Sequence, residues 1–150
     1  MTSLRNIKTL IGRCDASLRR CDMRRITTER QLAENEARSS ALDRQKTGLR
    51  QMIEQERPSG MLDKARIYVC QHRIAVFRQK IKELEVQQHK LLQERGEFSR
   101  QIAALKAEKL HWQRKHEKYQ TWAEKQKKAL RLAGLRQDEN ETQEIITWSP

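Results

Sequence analysis

Apolar side chains recur at alternating spacings of three and four residues along two long stretches, the pattern of helices that bury one narrow seam against each other. The first seam runs from Leu4 through Ile7, Ile11, Cys14 and Leu18 to Leu42, Leu49 and Ile53, and is polar in its middle, at Arg25, Thr28, Asn35 and Ser39. The second runs without a slip from Ile67 to Ala133. Between them stands Arg57-Pro58-Ser59-Gly60, where Pro58 cannot continue a helix and Ser59 is suited to cap the next one. The pattern predicts an all-α fold, a long antiparallel two-helix coiled-coil hairpin over residues 1–136. Its helices fall at about 3–55 and 61–134, with a turn at about 56–60.

Folding symmetrically about Pro58 gives a definite register. It stacks Leu49 on Ile67, Leu42 on Ile74, Leu32 on Leu84, Leu18 on Phe98, Ile11 on Leu105 and Leu4 on Trp112, and sets Thr28 across from Gln88 and Cys21 across from Arg95. At about 1.5 Å per residue the helices would be roughly 80 and 110 Å long, so the second overhangs the first. In this register Tyr119, Trp122 and Leu130 lie on a lone helix. Gly134 reads as a C-cap, and residues 137–150, acidic and polar before Ile145, Ile146 and Trp148, read as a flexible tail.

Composition supports a thin helical molecule: 36% of residues are hydrophobic, 35% charged and 5% aromatic, with five glycines and two prolines. No apolar run approaches the length of a membrane span, and the N-terminus lacks the pattern of a signal peptide, so a cytosolic protein is expected. Cys14, Cys21 and Cys70 are odd in number and lack CxxC spacing. They read as small buried side chains rather than as disulfides or zinc ligands.

The net charge of +12 is unevenly spread. Residues 1–30 carry +5, residues 31–105 carry +4, residues 106–136 carry +7 and residues 137–150 carry −4. Hairpin pairing brings the first and third of these segments to one end, which would attract an acidic partner.

The histidines at 72, 89, 111 and 116 form no metal-ligand pattern, there is no glycine-rich phosphate loop, and two paired helices offer no concave site for catalysis. The chain is expected not to be an enzyme and to hold no metal or cofactor. One stretch, Trp112 to Lys128, interleaves rings with cations. It could clamp phosphates or stack bases, but Glu117 and Glu124 dilute the charge and Trp112 and Tyr119 occupy seam positions. Trp, Tyr and Arg are frequent protein-binding anchors, so a protein-contact reading suits these residues better.

Ser3-Leu4, Ile7-Lys8, Leu10, Arg13-Cys14 and Cys21, then Trp112, Arg114-Lys115, Tyr119-Gln120, Trp122 and Gln126-Lys127, and finally Glu144-Ile145-Ile146 resemble the central stalk proteins of type III secretion systems. This is the SctO/FliJ family, and the likeness is to its SpaM/InvI-type injectisome members over nearly the whole chain. The resemblance implies a coiled coil at the cytoplasmic face of the bacterial secretion apparatus, its termini inside a hexameric export ATPase and its hairpin tip near the nonameric export gate. ATPase assembly or activity would thereby be linked to protein export, and secretion chaperones are further possible partners. Together with the residue pattern it nominates Arg13, Arg20, Arg114, Lys115, Tyr119, Trp122, Lys127 and Lys128 as the ATPase-binding set. The alternatives are a nucleic-acid-binding basic coiled coil and a secretion chaperone or structural spacer.

Overall fold

A computed structural model describes residues 3–57, 60 and 63–148. They form two helices, α1 (Leu4–Glu56) and the longer α2 (Lys64–Trp148), and no strand occurs among the described residues. Each helix starts at a side-chain cap. Ser3 Oγ accepts the backbone N–H of Asn6 at 3.3 Å, and Asp63 Oδ1 accepts that of Arg66 at 2.8 Å, satisfying N–H groups that have no carbonyl partner in a first helical turn. The expected cap Ser59, and Pro58 beside it, lie outside the described residues; the cap of α2 is Asp63. Gly60 has φ 91°, the left-handed region that a side chain disfavours.

The second helix does not stop near residue 134 but passes through Gly134 and the expected tail to Trp148. A glycine inside a helix costs about 1 kcal/mol relative to alanine. Here it is flanked by Leu132, Ala133, Leu135 and Arg136, all strong helix formers, and no further glycine and no proline follows before Trp148.

The chain divides into two compact units: Ile26–Ala103, and Met1–Arg25 together with Ala104–Pro150. In Ile26–Ala103 the helices run antiparallel, for Glu56 meets Arg73 at 3.4 Å, Asp43 meets Gln88 at 2.6 Å and Glu36 meets Arg95 at 3.6 Å. Thr28, Asn35 and Ile53 are buried, and Leu32, Leu42, Leu49, Ile67, Ile74, Leu84 and Phe98 are half-buried. Asn35, 4% exposed, donates from Nδ2 to the backbone oxygen of Leu91 at 2.9 Å. Gln88 Nε2 also bonds the backbone oxygen of Ser39 at 3.4 Å.

These contacts correct the symmetric register. Gln88 lies against Ser39 and Asp43 rather than Thr28, Arg95 against Glu36 rather than Cys21, and Leu49 lines a shallow hollow with Leu84 instead of stacking on Ile67. The expected pairs Leu42 with Ile74 and Leu32 with Leu84 are displaced in the same way. The slip is about two heptads, and a slip of whole heptads leaves every seam residue in the seam while changing its partner. Apolar periodicity is blind to that change. The side-chain contacts of Gln88 with Asp43 and of Glu36 with Arg95 discriminate, because each needs its own partner opposite.

In a background without native cysteines, Ser39→Cys combined with Gln88→Cys should therefore be joined by a short bis-maleimide reagent. Thr28→Cys with Gln88→Cys should not, since the two helix-one positions are about 16 Å apart; mass spectrometry of digests reads the outcome. Asn35→Ala should lower stability by about 1 kcal/mol, measured by urea unfolding.

Candidate partner-binding site

The unit formed by residues 1–25 and 104–150 carries the basic and aromatic residues singled out above. Its helices are also antiparallel: Asp22 Oδ1 accepts from Lys109 Nζ at 2.9 Å, and His116 Nε2 lies 2.9 Å from Asp15 Oδ1. The seam between them is narrow. Ile7, Cys14, Ser17, Cys21 and Ala123 are buried, and Leu4, Ile11, Leu18, Leu105, Trp112 and Tyr119 are half-buried. Ser17 accepts from Arg20 at 2.9 Å, so its buried hydroxyl is satisfied.

The expected pairs Leu4 with Trp112 and Ile11 with Leu105 are displaced here too, because Asp15 lies beside His116. The overhang therefore begins later than expected. Tyr119, Ala123 and Gln126 are at least half-buried, and exposure becomes continuous from Lys127 to Trp148.

The thiols belong to the seam. Burial pushes the Cys14 thiol above its usual pKa, an effect that the Lys115 charge opposes, and it pushes Cys21 up as well, aided by the charge and hydrogen bond of Glu108. Both thus behave as protonated small hydrophobes. Cys70, in the other unit, is half-buried.

The outward surface of α2 is built from short-range spacing. Lys115 Nζ lies 5.1 Å from the Trp112 ring centroid and Lys118 Nζ 4.8 Å from that of Trp122, both cation–π distances reached because residues three and four apart share a helix face. Tyr119 and Trp122 pack with centroids 5.5 Å apart, His111 meets Trp112 edge-on, and Trp112 Nε1 donates to Glu108 at 3.5 Å. The rings are held in place rather than loose. Trp122 is 39% exposed, and along the same helix Arg114 stands exposed before it and Lys127 and Lys128 after it. On α1, Arg13 and Arg20 are exposed.

The structure thus unites Lys115 with Trp112, and Tyr119 with Trp122 and Lys118. Lys118 was not in the nominated set, although its spacing of four from Trp122 was visible. His116, read as a surface histidine, is half-buried against Asp15; only the true register reveals that pairing.

The profile described as the Salmonella surface presentation of antigen gene type M protein matches residues 5–146. The chain belongs to this family. Membership makes it a type III secretion-associated protein. No curated protein and no solved structure matches it. The match takes in α1 from residue 5 and α2 as far as residue 146. No helix among the described residues is long and apolar enough to cross a membrane.

The Asp22–Lys109 contact gives the site a pH signature. The Lys109 hydrogen bond, followed by the charges of Lys109 and Arg25, holds the Asp22 carboxyl below its ordinary value of 3.8. A carboxyl depressed in the folded state adds stability that is fully present above the unfolded value and is lost as pH falls through the folded one. Wild type should therefore melt above Asp22→Asn near neutral pH, with the gap narrowing as pH falls below 3.8; circular dichroism melts at several pH values measure it.

Proposed function

We propose that the chain is a non-enzymatic central stalk of a type III secretion injectisome, a coupling protein at the cytoplasmic face of the apparatus. Its basic terminal unit enters the hexameric export ATPase, and the connection between α1 and α2 approaches the export gate. By bridging the two, it promotes ATPase assembly or activity and so protein export. Secretion chaperones are a further class of partner.

The observation that carries this reading is the fixed array on α2: Trp122 and Tyr119 braced together, Lys115 and Lys118 against indoles, and Arg114, Lys127 and Lys128 exposed around them. Preordered aromatic anchors within a cationic surround suit an acidic protein surface, because little side-chain entropy is lost on docking. One face of each indole already carries a lysine, which leaves less ring surface for the successive base stacking that single-stranded nucleic acid needs. Family membership supplies the setting.

The test is co-purification with the cognate secretion ATPase, with ATPase rate and hexamer formation read together. Wild type should bind and raise assembly or turnover. Arg114→Glu/Lys127→Glu/Lys128→Glu should abolish binding with helicity retained, and Trp122→Ala should weaken it about tenfold. Undiminished binding by the charge-reversed protein would remove this surface from the interface. A salt-sensitive gel shift of DNA or RNA, with no ATPase bound, would favour the nucleic-acid reading instead.

A further inference from the structure

The unit Ile26–Ala103 carries a hollow of about 690 Å³, separate from the one that Leu49 and Leu84 line. Ile53, which is buried, and Ile81, which is half-buried, form its apolar part. Three arginines stand exposed around them: Arg50 and Arg57 at the C-terminal end of α1, and Arg78 on α2. Among the described lining residues Glu54 is the only carboxylate, and Arg57 holds it at 3.3 Å. Both side chains of that pair are more than half exposed, so the pair contributes little and exchanges readily with another carboxylate. Arg50 and Arg78 form no ion pair with any described residue. The charge is local to this part of the unit. Residues 47–57 and 73–82 hold six basic and two acidic side chains, whereas the next stretches of the same helices, 31–46 and 83–98, hold five and seven. The neighbouring hollow is bordered by Lys80 and Glu83, one charge of each sign.

We infer that this hollow docks an acidic amphipathic helix of a partner protein, with a leucine-like side chain over Ile53 and Ile81 and carboxylates against Arg50, Arg57 and Arg78. A guanidinium presents a planar fork that matches a carboxylate, and two of the three forks have no partner within the unit. Arg50 and Arg57 are seven residues apart, about 10 Å along the helix axis. Carboxylates two turns apart on a helix laid along α1 have the same spacing, and an apolar residue three or four positions from each then falls over the isoleucines between them. A nucleic acid fits less well, because no aromatic ring lines the hollow for a base to stack on. The surface lies in the unit that holds none of the nominated ATPase-binding residues, so it stands apart from that placement.

The experiment uses the full chain and a synthetic alanine-rich helical peptide of about 20 residues. The peptide carries a photoreactive benzoylphenylalanine at its centre and a glutamate three or four residues to either side. Fluorescence anisotropy should show binding with a Kd on the order of 100 µM or below, and photo-crosslinks should map by mass spectrometry to residues 47–57 and 78–81. Arg50→Glu/Arg78→Glu should weaken binding about tenfold and remove these crosslinks. The same variant should bind a peptide with lysines in place of the glutamates, which also shows that it is folded. Arg114→Glu/Lys127→Glu/Lys128→Glu should keep the crosslinks, so failure here and failure of the stalk reading are read separately. Crosslinks that fall only outside residues 47–57 and 78–81 overturn the inference. So do equal binding of a peptide with glutamines in place of the glutamates, undiminished crosslinking of Arg50→Glu/Arg78→Glu, or a failure of that variant to bind either peptide with its helicity intact. A single-stranded oligonucleotide that binds more tightly than the peptide, and loses affinity in Arg50→Glu/Arg78→Glu, would assign the hollow to nucleic acid instead.

Discussion

Within each unit, among the described residues, one helix packs against one other, so each pairing rests on a narrow strip of contact. That constraint explains the small residues at its centre. Cys14, Ser17, Cys21, Thr28 and Asn35 are among the most buried residues of α1, whereas Leu18 and Leu32 are half-buried. Apart from Ile7 and Ile53, which are buried, the large side chains of this layer reach its edge and meet water, whereas small ones disappear within it. The seam therefore contributes less hydrophobic free energy per residue than a globular core would, and polar contacts carry correspondingly more of the specificity.

Seam membership was legible in the sequence because spacing alone determines which side of a helix a residue occupies. The choice of partner was not. Moving one helix by whole heptads preserves the pattern, and symmetric folding about Pro58 implies an alignment about two heptads away from the one observed. What distinguishes the register is visible only once side chains are placed: the Gln88 amide on the Asp43 carboxylate and the Glu36 carboxylate on Arg95. Polar residues beside the middle of the first seam, Glu36 and Asp43, are among the features that specify alignment.

The candidate site shows the same division. Its residue types and their crowding between Trp112 and Lys128 stand out in the sequence, and the cation–ring contacts follow from spacings of three and four. The end of the covered region did not follow, because it depends on register. Residues 113–126 are flanked by α1 at Asp15 and its neighbours, and the uncovered segment starts only at Lys127. The end of α2 was misread for a different reason. Gly134 and the polar residues after it look like a terminus, yet local helix propensity on both sides outweighs one glycine.

In the unit spanning Ile26–Ala103, the contacts that align the helices all lie away from the link between Glu56 and Lys64, save the ion pair of Glu56 with Arg73. Any covalent link raises the local concentration of one helix near the other, while the aligning contacts named above belong to the helices. Alignment is thus written into the helices themselves. Proteolytic nicking of the link would leave two pieces able to recover the same pairing, and lengthening it would loosen the tether while preserving the match.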